Sequence, residues 1–425
     1  VTPAWLAKAA TWLTPRRLRA QAVLLAVCLW GVCAVDFATP GLYDRAGNIK
    51  FQDLLPLYVS SRMIAQGRAG ELYKQGTVAA ETQSTIYQMD ASRVRRVVLP
   101  NLYGPQVSLL FVPLARLSFL AAAGIWVILS LLAFFVCRSL VWKSCLSLRA
   151  HAGFVAIAAA AFPPLFHFFV RGQLSVLVLA CFTAAYLAFR ADRNWLAGIA
   201  LGFLVFKPQF LIAIPLVLLL VRAWTTLAGI VVSSSVQLAA TWLYFGPAVM
   251  RAYFDTLRHM SRWMGAVELN LAPIQMHSLR SFWTLLIPSP DAALALYLLS
   301  SMIVIAIAAS VWKSSSLLAL RFSALTLAAV LVNPHLFIYD LLVLAPALLL
   351  LVDWIVTNPT HSDRVAVTLL SYLAFVLPLF GPLSRWTHVQ LSVPIFAALL
   401  WTLRRIAPAF ATPGHKLASH ESSVV

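Results

Sequence analysis

Five polar side chains and one glutamine stand where a strongly apolar chain has little reason to carry them, and each brings a chemistry. Asp53 is a carboxylate that could take the proton of an attacking hydroxyl, acting as a general base. It also directly precedes an amphipathic run with Pro56 in its first turn, so it could equally cap a helix. Asp36 and Asp44 are nearby carboxylates; Asp36 ends an apolar run, where a boundary charge needs no special role. Arg171 and Gln173 flank Gly172 between two apolar runs, and a guanidinium there can hold a phosphate through two parallel hydrogen bonds. Lys207 precedes Pro208, which removes a backbone donor and breaks a helix. A cation at such a break could bind a phosphate, or snorkel to an interface. His335 follows Asn333-Pro334 and could orient or donate to a phosphate or a sugar hydroxyl, although a lone histidine is often a satisfied structural residue. Asp340 lies inside an apolar run and needs a cationic partner such as Arg171 or Lys207; the pair could be purely structural.

What must position these groups is a membrane protein. Of the 425 residues 61% are hydrophobic and 11% charged, and the mean hydropathy is +0.85. Soluble domains have about 45–50% apolar and about 25% charged residues. Runs near the roughly 17–25 residues needed to cross a bilayer fall at 18–35, 117–141, 151–170, 174–189, 195–206, 209–221, 225–245, 292–311, 317–332, 336–352, 365–380 and 389–403. The expected fold is all-α, a single polytopic domain over residues 1–407 with about twelve spans. A polar tail, 408–425, is expected to be cytoplasmic and disordered.

The net charge of +18 sits mostly in short clusters between these runs. That is the pattern of the positive-inside rule and not of a nucleic-acid binder. Attraction to anionic lipid is a weaker second reason. Arg16, Arg17 and Arg19 place the N-terminus inside, as an uncleaved first span. Lys143, Arg149, Arg190, Arg193, Arg222, Lys313, Arg364, Arg404 and Arg405 then fall on the same side. The piece 106–116 is expected to be re-entrant or interfacial, since a span there would move the basic loops to the wrong face. Two long outer stretches result, 36–105 and 246–290. The first contains an amphipathic run at 54–65, suited to lying in the interface, and the aromatics Tyr253, Phe254, Trp263 and Trp283 of the second suit the headgroup zone. On this topology Asp53, Arg171, Gln173, Lys207, His335 and Asp340 converge on the outer face. The five cysteines lack zinc-ligand spacing and a disulfide framework and read as small core residues. No glycine pattern for nucleotide binding and no carboxylate–histidine cluster for a metal is present, so neither a cofactor nor a metal is expected.

The order of these pieces resembles the polyprenyl-phosphate-sugar-dependent glycosyltransferases of the GT-C superfamily, most closely glycosyltransferase family 87. The matching pieces are Asp53 through Tyr58, Gly67 with Leu72-Tyr73, Tyr103-Gly104-Pro105 with Pro113-Leu114, Arg171-Gly172-Gln173, Ala197-Gly198 through Lys207-Pro208, and Asn333-Pro334 with Tyr339-Asp340. The resemblance implies an outward-facing active site, a polyprenyl-phosphate sugar donor and inverting transfer to a lipid or glycan acceptor. It implies mannose as the sugar and Asp53 as the base. Lys207 and Gln173 would fall near the donor phosphate and sugar, Tyr103 would join them, and His335 would stand at the cavity wall. It further implies a multi-pass protein of the bacterial inner membrane whose site faces the periplasm or cell exterior. Broken helices with charges at depth also describe a transporter or lipid flippase; such proteins usually show an internal duplication, and none is apparent here. A non-enzymatic membrane assembly subunit is a third reading.

Overall fold

A computed structural model describes residues 11–90, 101–271 and 273–411, the side chains of 260–271 excepted. Among the described residues there is no β-strand, only the isolated bridges Tyr43–Ile49 and Met276–Phe337. The chain enters α1 (Pro15–Phe37) behind Thr14, whose hydroxyl accepts from the Arg17 amide, with Pro15 in the first turn. Then follow α2 (Leu55–Ala65), α3 (Gln75–Met89), α4 (Pro105–Leu110), α5 (Phe119–Trp142), α6 (Ala152–Ala160), α7 (Pro163–Arg171), α8 (Ser175–Arg190) and α9 (Asn194–Gly202). The second half contains α10 (Ala213–Leu220), α11 (Trp224–Leu271), α12 (Leu279–Leu286), α13 (Pro290–Ser314), α14 (Leu318–Val332), α15 (Leu344–Thr357), α16 (Arg364–Val376), α17 (Ser384–Thr387) and α18 (Ser392–Ile406).

The twelve apolar runs are largely helical, but length divides them. Seven helices in the described residues are long and apolar enough to cross a membrane: Pro15–Phe37, Phe119–Trp142, Trp224–His259, Pro290–Ser314, Ile338–Thr357, Arg364–Thr387 and Ser392–Phe410. An eighth span results if Leu146–Ala160 and Pro163–Arg171, bent by 46°, count as one. By length and composition alone seven or eight helices qualify, so the expected dozen crossings is not confirmed. The outward side chains of the long helices are apolar, with Leu24, Val27, Leu243 and Met302 all well exposed, as lipid-facing residues are.

Four further apolar helices are shorter: Ser175–Arg190, Asn194–Phe206, Pro208–Leu220 and Leu318–Val332. At about 1.5 Å per residue none reaches the roughly 30 Å of a hydrocarbon core. Their inner ends share a location. The first begins beside Gln173, the second ends and the third begins at Lys207, and the fourth ends at Asn333, which leads to His335. Proline explains two of these breaks, Pro208 after Lys207 and Pro334 after Asn333, because it removes a donor and forbids helix to the residue before it. The shortfall in helix length leaves a cavity.

The first long loop covers that cavity with its own core. Leu42, Leu55, Leu57, Val59, Met63, Leu72, Val78, Ile86 and Val107 are buried together with Phe119 at the head of α5. Eight of the eleven residues of α2 are buried, including both faces of its middle turn. The run 54–65 is therefore an internal helix of the loop and does not lie in the interface as expected. The piece 106–116 forms two short helical segments, α4 and the turn Val112–Arg116, of six and five residues, too short to cross. Helix α11 bends at Gly246 (φ 80°), followed by Pro247, and continues as the first part of the second outer stretch. Cys33, Cys137 and Cys145 are buried, whereas Cys28 is exposed on α1. The final described turn, Ala407–Phe410, packs on the bundle through Phe410 against Trp354 and His361.

Candidate active site

A cavity of about 610 Å³ lies between the loop layer and the ends of the short helices. Its walls include all seven residues expected at a site: Asp53, Tyr103, Arg171, Gln173, Lys207, His335 and Asp340. They come from five stretches of chain separated by up to 287 positions, so only folding brings them together.

Asp53 sits in the helical turn Gln52–Leu54, which precedes α2. The helix cap is Leu54 and no side-chain cap bond is made, so Asp53 is not the N-cap that its position suggested. Its carboxylate instead accepts a 2.6 Å hydrogen bond from Gln173 Nε2 and lies 3.9 Å from Arg171 NH1. Backbone geometry fixes this meeting. Helix α7 ends on Gly172 in the left-handed region (φ 68°), the usual helix-stop conformation of glycine. A Cβ there would stand 3.1 Å from Phe51 Cβ and 3.3 Å from Leu54 Cβ, so only glycine lets the Asp53 turn approach this closely. Phe51 itself has φ 56°, an unusual value for a non-glycine residue, immediately before the turn. Gln173 is held on three sides. Its Oε1 accepts from Tyr103 Oη (3.2 Å) and its backbone carbonyl from Trp126 Nε1 (3.3 Å), while Nε2 donates to Asp53. Tyr73 Oη in turn donates to the Tyr103 carbonyl at 2.8 Å. Burial pushes the Asp53 carboxyl up from the usual carboxylate range; the Arg171 charge and the Gln173 hydrogen bond oppose it. Burial likewise raises Tyr103, against the nearby Lys207 charge, which keeps its hydroxyl a donor.

The second carboxylate is arranged differently. Asp340 Oδ1 accepts from Lys207 Nζ at 2.6 Å and from Ser175 Oγ at 2.7 Å, and both charged side chains are almost wholly buried, at 4% and 2% exposure. Lys207 also lies 5.6 Å from the centre of the Tyr339 ring. Of the two partners open to Asp340 from sequence, the fold uses Lys207. This pair ties α8, the α9–α10 break and the turn Ile338–Val343 into one floor. By contrast Arg171 is 39% exposed at the side chain and holds its carboxylate only at the edge of ion-pair distance.

His335 stands at the wall, its amide bonded to Asn333 Oδ1 (2.9 Å) and its ring edge-on to Phe337. Two further histidines line the cavity that sequence reasoning did not select, His167 and His277. His277 is brought in by the short pairing of Met276 with Phe337, where its amide donates to the Leu336 carbonyl (2.9 Å). Its Nδ1 lies 2.8 Å from Ser392 Oγ, and burial, with His167 nearby, pushes it down to about 3, so it is a neutral imidazole. No local signal marks it. His167 precedes Arg171 by four residues on α7, the same helical face, and that spacing could have found it. Among the described residues no group of three or more His, Cys, Asp or Glu side chains is placed to hold a metal ion.

The arrangement offers one open carboxylate, one open guanidinium and a neutral polar floor in a pocket roomy enough for a sugar. No curated protein and no solved structure matches the chain. A protein-family model does: it matches residues 101–337, more than half of the sequence, and takes in Tyr103, Arg171, Gln173, Lys207 and His335, while Asp53 and Asp340 lie outside it. That family is described as Glycosyltransferase family 87, and the chain belongs to it.

Proposed function

We propose that the protein transfers a sugar, of which mannose is the first candidate, from a polyprenyl phosphate to a lipid or glycan acceptor at the extracytoplasmic face, with inversion. The observation that carries this reading is the inequality of the two cavity carboxylates. Asp53 faces the cavity with one oxygen toward Gln173 and the other toward Arg171. Asp340 is closed off by Lys207 and Ser175. Retention through a covalent intermediate would call on a second carboxylate free to attack; the single open one suits a single displacement.

In that displacement the acceptor hydroxyl gives its proton to Asp53 as its oxygen attacks the anomeric carbon, and the C–O bond to the phosphate breaks. The pair of electrons leaves on the phosphate, already a good leaving group, and Arg171 is the cation available to neutralise it. Lys207 is less suited to that task than its position at a helix break suggested, because its ammonium is committed to Asp340. We assign it to the cavity floor, with Gln173 and Tyr103 setting the orientation of the Asp53 carboxylate and His335 at the wall where the donor would pass. The basic clusters at the opposite ends of the helices support the outward orientation, and the donor's chain would then lie in the lipid beside the cavity.

The test is transfer by the purified protein in vesicles, supplied with a radiolabelled polyprenyl-phosphate sugar and a membrane lipid extract. Label should appear in a new lipid or glycan, and Asp53→Asn should slow it by about 10²–10⁴-fold. Equal transfer by that variant removes Asp53 from the role. Label that crosses the bilayer without forming a new product favours a transporter. Cysteine labelling at position 173 from the outside checks the orientation.

A further inference from the structure

On the basic side of the bundle a second crevice runs between α5 and α6, apart from the cavity and sharing no lining residue with it. Helix α5 packs on α8 and α15, and α6 packs on α1, so α8 and α15 form the floor of the slot between them. Phe134, Phe154, Ala158, Leu179, Leu349 and Phe375 give it an apolar wall enclosing about 120 Å³. One charged side chain enters, Arg138, a turn before the end of α5.

Arg138 carries the argument together with Trp142, the next residue on the same helical face. The guanidinium lies 5.6 Å from the centre of the Trp142 ring. Arg138 Nε and Trp142 Nε1 are both buried, and neither has a hydrogen-bond partner among the described residues. A buried donor left unmade is costly, and more so when charged. Two orphan donors on one helical face, the first of them lining the hydrocarbon-walled slot, ask for an acceptor attached to a chain. The surroundings select a negative one. Lys143, Arg149 and Arg190 lie at the same end of the helices, and the carboxylate of Asp353 there is engaged by Ser147.

We propose that this crevice binds one anionic phospholipid, with an acyl chain along the apolar wall and the phosphate on Arg138 and Trp142. A free phosphate satisfies the donors but leaves the wall empty. A zwitterionic lipid fills the wall but gains less from the basic fringe. Bound there, the lipid would fasten α5 to α6 across a gap that the two helices do not close themselves.

The protein is purified in detergent and titrated with phosphatidylglycerol, phosphatidylcholine or inorganic phosphate. Retained lipid is counted by native mass spectrometry and thermal unfolding is followed in parallel. The wild type should keep one phosphatidylglycerol and unfold at higher temperature with it, and phosphatidylcholine or phosphate should do neither. Arg138→Gln should weaken retention by about tenfold or more. Ala158→Phe, which leaves the arginine in place and fills the slot, should do the same and decides the matter if the first variant does not fold. Equal retention by the wild type and both variants, equal retention of phosphatidylcholine, or a shift produced by phosphate alone would each overturn the proposal.

Discussion

The cavity holds two carboxylate–cation pairs built from the same residue types for different ends. Lys207 and Asp340 are in direct contact, almost wholly buried, and joined by a serine hydroxyl. Asp53 and Arg171 are 3.9 Å apart and both partly open to the cavity, with the carboxylate held by a glutamine that is itself anchored by a tyrosine. A closed pair neutralises itself and holds segments together. An open pair keeps its charges available to a third party, and its geometry has to be held by neighbours. The difference teaches that a charge at depth in a membrane protein is not by itself a sign of catalysis; what it is already bound to decides.

Removing one partner tests this contrast, and the largest effect belongs to the closed pair. Lys207→Ala should destabilise the protein by about 3–5 kcal/mol, because an unpaired buried carboxylate is left behind. Urea or thermal unfolding measures it, and Lys207→Met combined with Asp340→Leu should regain most of the loss. Arg171→Ala should instead leave the unfolding midpoint close to wild type and lower transfer by about 10²–10³-fold, as loss of one charge-stabilising donor does. If the two variants lose stability alike, the distinction between the pairs fails.

The pH profile sharpens the comparison. Asp53 works as a base only when unprotonated, and burial raises its pKa above the 3.8 of a solvated aspartate. Transfer should therefore fall as pH drops through that raised value, giving an acid limb above the ordinary carboxylate range. Arg171 and Gln173 both favour the charged form, so Arg171→Ala or Gln173→Leu should move the limb further up. The opposite sign applies to stability. A raised carboxyl contributes most below its unfolded pKa and loses that contribution as pH rises through the folded one, so at neutral pH the Asp53 charge is a cost. Asp53→Asn should accordingly unfold no earlier than wild type while its transfer is lost. The smallest effect is expected from Tyr103→Phe, which removes one neutral hydrogen bond worth about 0.5–1.5 kcal/mol. It should slow transfer modestly through a less well-held Gln173 and leave folding intact.

Much of the fold was legible because lipid allows few solutions. Apolar runs must be helical, prolines must break them, and basic loops must share a side. The length of each helix was less legible, since an apolar run of thirteen residues reads the same whether it crosses or stops at a cavity. For α2 the amphipathic pattern misled, because a loop with its own core buries the helix on both faces. Six of the seven expected residues that line the cavity stood out in the sequence as polar groups in an apolar chain, and Tyr103 entered only through the family resemblance. His277 did not stand out, because a histidine in a mixed loop is not out of place.

The sequence alone determined that the chain is helical and apolar enough for lipid, where its helices break and which polar side chains stand out in it. It did so because burying a charge or a broken helix in hydrocarbon is costly enough to leave a visible trace in composition. Tertiary structure alone decided which cation meets which carboxylate. That choice turns on a few ångströms, on Gly172 letting the Asp53 turn approach and on a proline break presenting Lys207 to Asp340. Neither distance is written in the spacing of residues more than a hundred positions apart.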